Sequence, residues 1–60
     1  MSKIKFNMII NKCRLAKDGL KDILNIAQDV HYPLMSEINK TILELDKIVV
    51  KCRSLREDYE

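Results

Sequence analysis

Apolar residues stand at Phe6, Ile9, Cys13, Ala16, Leu20, Ile23, Ala27, Val30 and Leu34, in steps that alternate three and four without a miss. An α-helix turns once every 3.6 residues, so these positions form one stripe. Sustained over this length, the stripe marks a helix with a coiled-coil seam. A second series runs through Ile38, Thr41, Leu45, Ile48, Cys52, Leu55 and Tyr59 with the same alternation. The join is irregular, because Leu34 to Ile38 is a step of four where three is due, and Pro33 sits beside it. Inside a continuous helix Pro33 would delete the bond to the Asp29 carbonyl, at about 3 kcal/mol. As the first residue of a new helix it costs nothing, and it pushes Tyr32 towards an extended conformation.

The pattern therefore predicts an all-α chain, an antiparallel two-helix hairpin forming a single domain over residues 1–60. The first helix is expected over about 3–30, the turn at about 31–32 and the second helix over about 33–58. No glycine follows the first helix, and Ser36 offers only an alternative, later cap. One long helix kinked at Pro33, with a four-residue stutter, is the competing arrangement. Folding near residue 32 places Phe6 opposite Tyr59, Cys13 opposite Cys52, Leu20 opposite Leu45, and Ala27 opposite Ile38. The expected seam, for the hairpin and for its self-association, is Phe6, Ile9, Cys13, Ala16, Leu20, Ile23, Ala27 and Val30 with Ile38, Leu45, Ile48, Cys52 and Leu55.

One seam does not absorb all the apolar surface. The first helix adds Ile10 and Leu24 on one flank and Met8, Leu15 and Ile26 on the other; the second adds Ile42 and Val49 beside its stripe, and Leu43 and Val50 nearly opposite it. A surface helix ordinarily confines apolar residues to one stripe, so widened faces on both helices point to a second interface. A homodimer that closes a four-helix bundle is the expectation, and a groove for another protein's helix is the competitor. Leu43 and Val50, with Met8, Leu15 and Ile26, are the candidate residues for a protein partner.

Size supports the same view, since a domain of about 60 residues buries only about 60% of its unfolded surface and is marginal alone. Charged residues at 33% and hydrophobic ones at 47% suit a bundle and argue against disorder. Two cysteines do not make the framework of a small secreted domain. No apolar run approaches the roughly 20 residues of a membrane span, and the basic start lacks the apolar core of a signal peptide. The chain is expected to be soluble and cytoplasmic, with no membrane association.

Candidate chemistry is sparse. Cys13 and Cys52 fall on the stripes, where two thiols act as small hydrophobes more readily than as a redox clamp. His31 at the turn reads as a solvated loop residue. Asp18 and Asp22, four apart beside Lys17 and Lys21, read as a solvated face. No cysteine pair has metal-ligand spacing, and no Glu-x-x-His pair, phosphate loop or Ser/His/Asp set is present. The expectation is no enzyme, no cofactor and no metal.

Charge is divided along the hairpin. Its open end gathers Lys3, Lys5, Lys12, Arg14, Lys17, Lys51, Arg53 and Arg56 against Glu57, Asp58 and Glu60. The turn end gathers Asp18, Asp22, Asp29, Glu37, Glu44 and Asp46 against Lys21, Lys40 and Lys47. Lys3, Lys5, Lys12, Arg14, Lys17, Arg53 and Arg56 are the candidate basic patch for a nucleic-acid backbone. The net charge of only +2, and aromatics committed to the seam or the turn, make that the lesser reading.

Glu44, Leu45 and Asp46, with Ile48 and Val49 following, resemble the Ser-Gln-Glu-Leu-Asp motif of the small two-helix sporulation-type aspartyl phosphatases, which dephosphorylate a response regulator. Ile42 and Leu43 replace the motif's Ser and Gln, and Arg14 stands about a heptad farther from Asp46 than that pattern implies. The resemblance implies a two-helix hairpin with Glu44 and Asp46 as the residues of interest. The leading expectation remains a small non-enzymatic interaction module, a regulator or inhibitor of a larger protein that acts by presenting helical surface. A nucleic-acid-binding bundle and a phosphatase-like regulator are the alternatives.

Overall fold

The computed structural model describes residues 2–58. Among them are two helices, α1 over Ser2–Val30 and α2 over Leu34–Asp58, and no strand. Lys17 meets Asp46 at mid-length and Asn7 meets Arg56 near the open end, so the helices run antiparallel. The hairpin measures 47 × 14 × 8 Å, one helix thick.

The turn explains how a chain without a glycine at this point reverses. The His31 amide still donates to the Ala27 carbonyl at 2.8 Å, which completes α1. Three tighter bonds follow, each reaching back three residues: Leu34 to His31 at 3.0 Å, Met35 to Tyr32 at 3.0 Å and Ser36 to Pro33 at 3.3 Å. No described residue has a positive φ, so the reversal needs no left-handed cap. Pro33 stands one residue ahead of α2, where its missing N–H deprives no helical carbonyl.

The seam follows from which residues lose contact with water. Ile10, Cys13, Ala27 and Cys52 are buried. Phe6, Lys17, Leu20 and Leu24 on α1, and Met35, Ile38, Ile42, Leu45, Asp46, Val49 and Arg56 on α2, are half-buried. All but Asp46 fall on heptad rows, half of them on the expected row and half on the row beside it. Ile10, Lys17 and Leu24 take the inner places expected for Ile9, Ala16, Ile23 and Val30, all of which are exposed. On α2, Ile42, Val49 and Arg56 take the places expected for Thr41, Ile48 and Leu55, also exposed.

Polar contacts fit this rotation. It seats Lys17 against Asp46 at 2.8 Å and lets Arg56 donate to the Asn7 side-chain oxygen. Thr41 is satisfied within its own helix, its hydroxyl donating to the Glu37 carbonyl at 3.1 Å. Residues that meet across the seam have numbers adding to 63 in both cases, close to the expected 65. Of the expected pairs, Phe6 with Tyr59 lies outside the described residues.

The hairpin remains open to solvent. Its accessible surface is 4825 Å², against the roughly 4,100 Å² that the size scaling gives for a compact 7.1 kDa monomer.

Candidate interaction surface

Helix geometry turns the observed seam into a map of the other faces. Ile9, Ala16, Ile23 and Val30 each lie one place before the α1 seam row or its heptad continuation, roughly a quarter turn from the seam centre. Leu34, Thr41, Ile48 and Leu55 lie one place before their seam row on α2. Equal rotations on two antiparallel helices bring both rows to the same side of the hairpin. That side is therefore a nearly continuous apolar face, with Ile9 43% exposed, Ile23 50%, Leu34 47% and Ile48 45%.

The opposite side is polar. The residues one place after the seam rows are Asn7, Arg14, Lys21 and Gln28 on α1 and Asn39, Asp46 and Arg53 on α2. Arg14, Lys17, Asp46 and Arg53 share a cleft of about 250 Å³ with Cys13, Leu45, Val49 and Val50. Lys17 and Asp46 are partly exposed there, 32% and 45% by side chain. The contact is thus a screened bridge, worth on the order of 0.2–1 kcal/mol.

The expected partner residues are all exposed, but they divide between the two outer surfaces. Leu43 and Val50 line a shallow trough of about 510 Å³ on the back of α2, together with Asp46, Lys47, Lys51 and Ser54. Met8 and Leu15 lie on the back of α1, and Ile26 lies at the edge of the apolar face. The basic residues are dispersed as well. Lys17 and Arg56 are engaged across the seam, Arg14 and Arg53 border the polar cleft, and Lys5 and Lys12 run along the apolar face's edge.

Glu44 and Asp46 do not converge. Glu44 pairs along its own helix with Lys47 at 3.3 Å, while Asp46 faces Lys17 across the seam. Cys13 and Cys52 are both buried and both free thiols. His31 is exposed at the turn. Among the described residues, no group of three His, Cys, Asp or Glu side chains is placed to hold a metal ion. Among the described residues no helix is long and apolar enough to cross a membrane.

Sequence reasoning missed two residues that organise the seam, Lys17 and Arg56. The signal was there: Asp46 stands at the level of Lys17 in the folded-back chain, and Asn7 at the level of Arg56. A charged residue inside a heptad row with an opposite charge or a side-chain amide facing it marks a seam position whose apolar stem packs inward while its charged end reaches out.

Comparison of the chain with protein-family models, with curated proteins and with solved structures finds no match. The functional reading therefore rests on the surfaces themselves.

Proposed function

We propose that this hairpin is a non-enzymatic protein-interaction module, a regulator or inhibitor of a larger protein that works through helical surface and itself assembles as a homodimer. The apolar side chains that the hairpin cannot cover carry this reading. Away from the apolar face, Leu43 is 59% exposed and Val50 64%, on the far side of α2 from the seam. Monomeric proteins scatter apolar residues singly over their surface; rows of them at heptad spacing are what another helix packs against. The trough around Leu43 and Val50, rimmed by Lys47 and Lys51, is the proposed partner site.

Leu43→Glu and Val50→Glu test it, because both positions lie outside the hairpin seam. Affinity-purified wild-type chain should retain a specific protein that both variants lose. Binding of that protein, once purified, should weaken at least tenfold, with circular dichroism and oligomeric state unchanged. If either substitution dissolves the dimer instead, the trough belongs to the assembly core, and the proposed partner site is wrong.

A phosphatase-like regulator is the second reading, favoured by one observation: the Asp46 carboxylate lies in a cleft bordered by Arg14, Lys17 and Arg53. It requires Asp46→Ala to abolish loss of the acyl phosphate from a phosphorylated receiver domain while the hairpin stays helical. Unchanged phosphate loss would remove that reading.

A further inference from the structure

We propose that the apolar face carrying Ile9, Ile23, Ile48 and Leu55 is covered by a second copy of the chain, laid across it in reverse. The two turns then lie at opposite ends, and Ala16 faces Ala16 of the other copy on a two-fold axis. This rests on the interaction-module reading above and specifies the occupant and orientation of one of its surfaces.

Area is the first support. The face spans 47 × 14 Å at the Cα atoms, roughly 660 Å², and side chains widen it. A standard protein interface takes about 800 Å² from each partner, so one copy supplies a cover of matching size. A two-fold axis sets the same patch against itself, which is how most small homodimers close.

Charge selects the orientation. Apart from the Lys17–Asp46 pair, which cancels at mid-length, the open end carries seven Lys and Arg against three acids, a net of +4, while the turn end carries five acids against three Lys, a net of −2. Packed helices lie about 8–10 Å apart, comparable with the screening length at physiological salt, so the ends of stacked copies act on each other. An axis along the helices would set +4 over +4. That arrangement would also bring Val30 against Leu34 of the other copy, but this gain is one layer at the turn. An axis across the helices sets +4 over −2 at both ends.

The layers fit the second choice. Ala16 is the middle residue of α1, so an axis there overlays the whole of Ser2–Val30 on its copy. Ile48 lies at nearly the same level on α2 and meets its own copy on the same axis. Ile9 then packs over Ile23 of the other copy, and Leu55 over its Thr41. Small Ala16 at the centre permits close approach while Ile48 fills the layer beside it. At the α2 edge, Glu44 comes beside Lys51 of the other copy.

Two measurements on the full chain test this. In sedimentation equilibrium at micromolar concentration the wild type should be dimeric, and raising salt from about 50 to 500 mM should weaken association several-fold. Association that strengthens with salt would overturn the reversed arrangement in favour of turns together. Separately, Ala16→Cys in a Cys13→Ala, Cys52→Ala background should form a covalent dimer under copper–phenanthroline oxidation, reversed by thiol, with helicity retained. A folded variant that fails to cross-link would overturn the two-fold at Ala16; if the variant does not fold, the wild-type salt series decides. A poorly helical monomer that gains helix only on a foreign protein would overturn the second copy yet leave the interaction module standing. A fully helical monomer at millimolar concentration would overturn the second copy, leaving the module to the Leu43→Glu and Val50→Glu test.

Discussion

Gly19 lies in the middle of α1 with a helical, negative φ, and a Cβ built on it meets nothing within 4 Å. Nothing in the fold uses its freedom, while its presence raises the entropy of the unfolded chain. Gly19→Ala should therefore stabilise the hairpin by about 0.5–1 kcal/mol, raising the thermal midpoint by about 2–8 °C in circular dichroism. At this scale the sequence was legible for Phe6, Cys13, Leu20, Ala27, Ile38, Leu45 and Cys52, which lie on the observed seam as expected. It misled at neighbouring isoleucines. Ile9 and Ile10 are equally apolar, and only the companions of each row distinguish them. Lys17 interrupts the row that is in fact inside, so the uninterrupted row of Ile9, Ala16 and Ile23 looked like the better seam. Hydropathy alone does not see that Lys17 has Asp46 to reach.

The two helices were readable almost to their ends, because heptads and a lone proline are strong, local signals. The conformation of the turn was not, since it depends on hydrogen bonds that reach back three residues rather than on a residue type. With no left-handed residue there, Pro33 is the principal obstacle to one continuous helix. Pro33→Ala restores the N–H and removes the ring's clash with the Asp29 carbonyl. Small-angle X-ray scattering should then show the longest dimension rising from about 50 Å for the 47 Å hairpin towards about 90 Å, the length of 60 helical residues. A particle of unchanged length would show that seam packing alone closes the hairpin. Charge at the helix ends adds little to either helix. α1 has no acid in its first turn and no base in its last, whereas α2 has Glu37 and Arg56 in the favourable places.

For the molecule as a whole, one seam is a small source of stability. Among the described residues only Ile10, Cys13, Ala27 and Cys52 are buried, and three of these have small side chains. The isolated hairpin should lose helix on dilution. Ellipticity at 222 nm and the weight-average mass from sedimentation should fall together over the same concentration range. Helicity constant across a thousandfold dilution through the dissociation range would show that the seam suffices alone. The excess of apolar surface was visible in the sequence as widened faces. Its gathering onto one side of the hairpin was not, because that depends on which of two adjacent rows turns inward. Once the inner row is known, the outer faces follow from helix geometry.

The Lys17–Asp46 contact also bears on how the two helices can slide past each other. Heptad rows repeat every seven residues, so a hairpin slipped by one heptad would still match apolar to apolar over much of its length. Such a slip would set Lys17 against Arg53 in one direction or Asn39 in the other. Neither offers the ammonium an opposite charge, and one repels it. Worth little as a brace, the pair acts as a detent: it marks one axial setting among several nearly equivalent ones, and so fixes how far apart the charged ends are held.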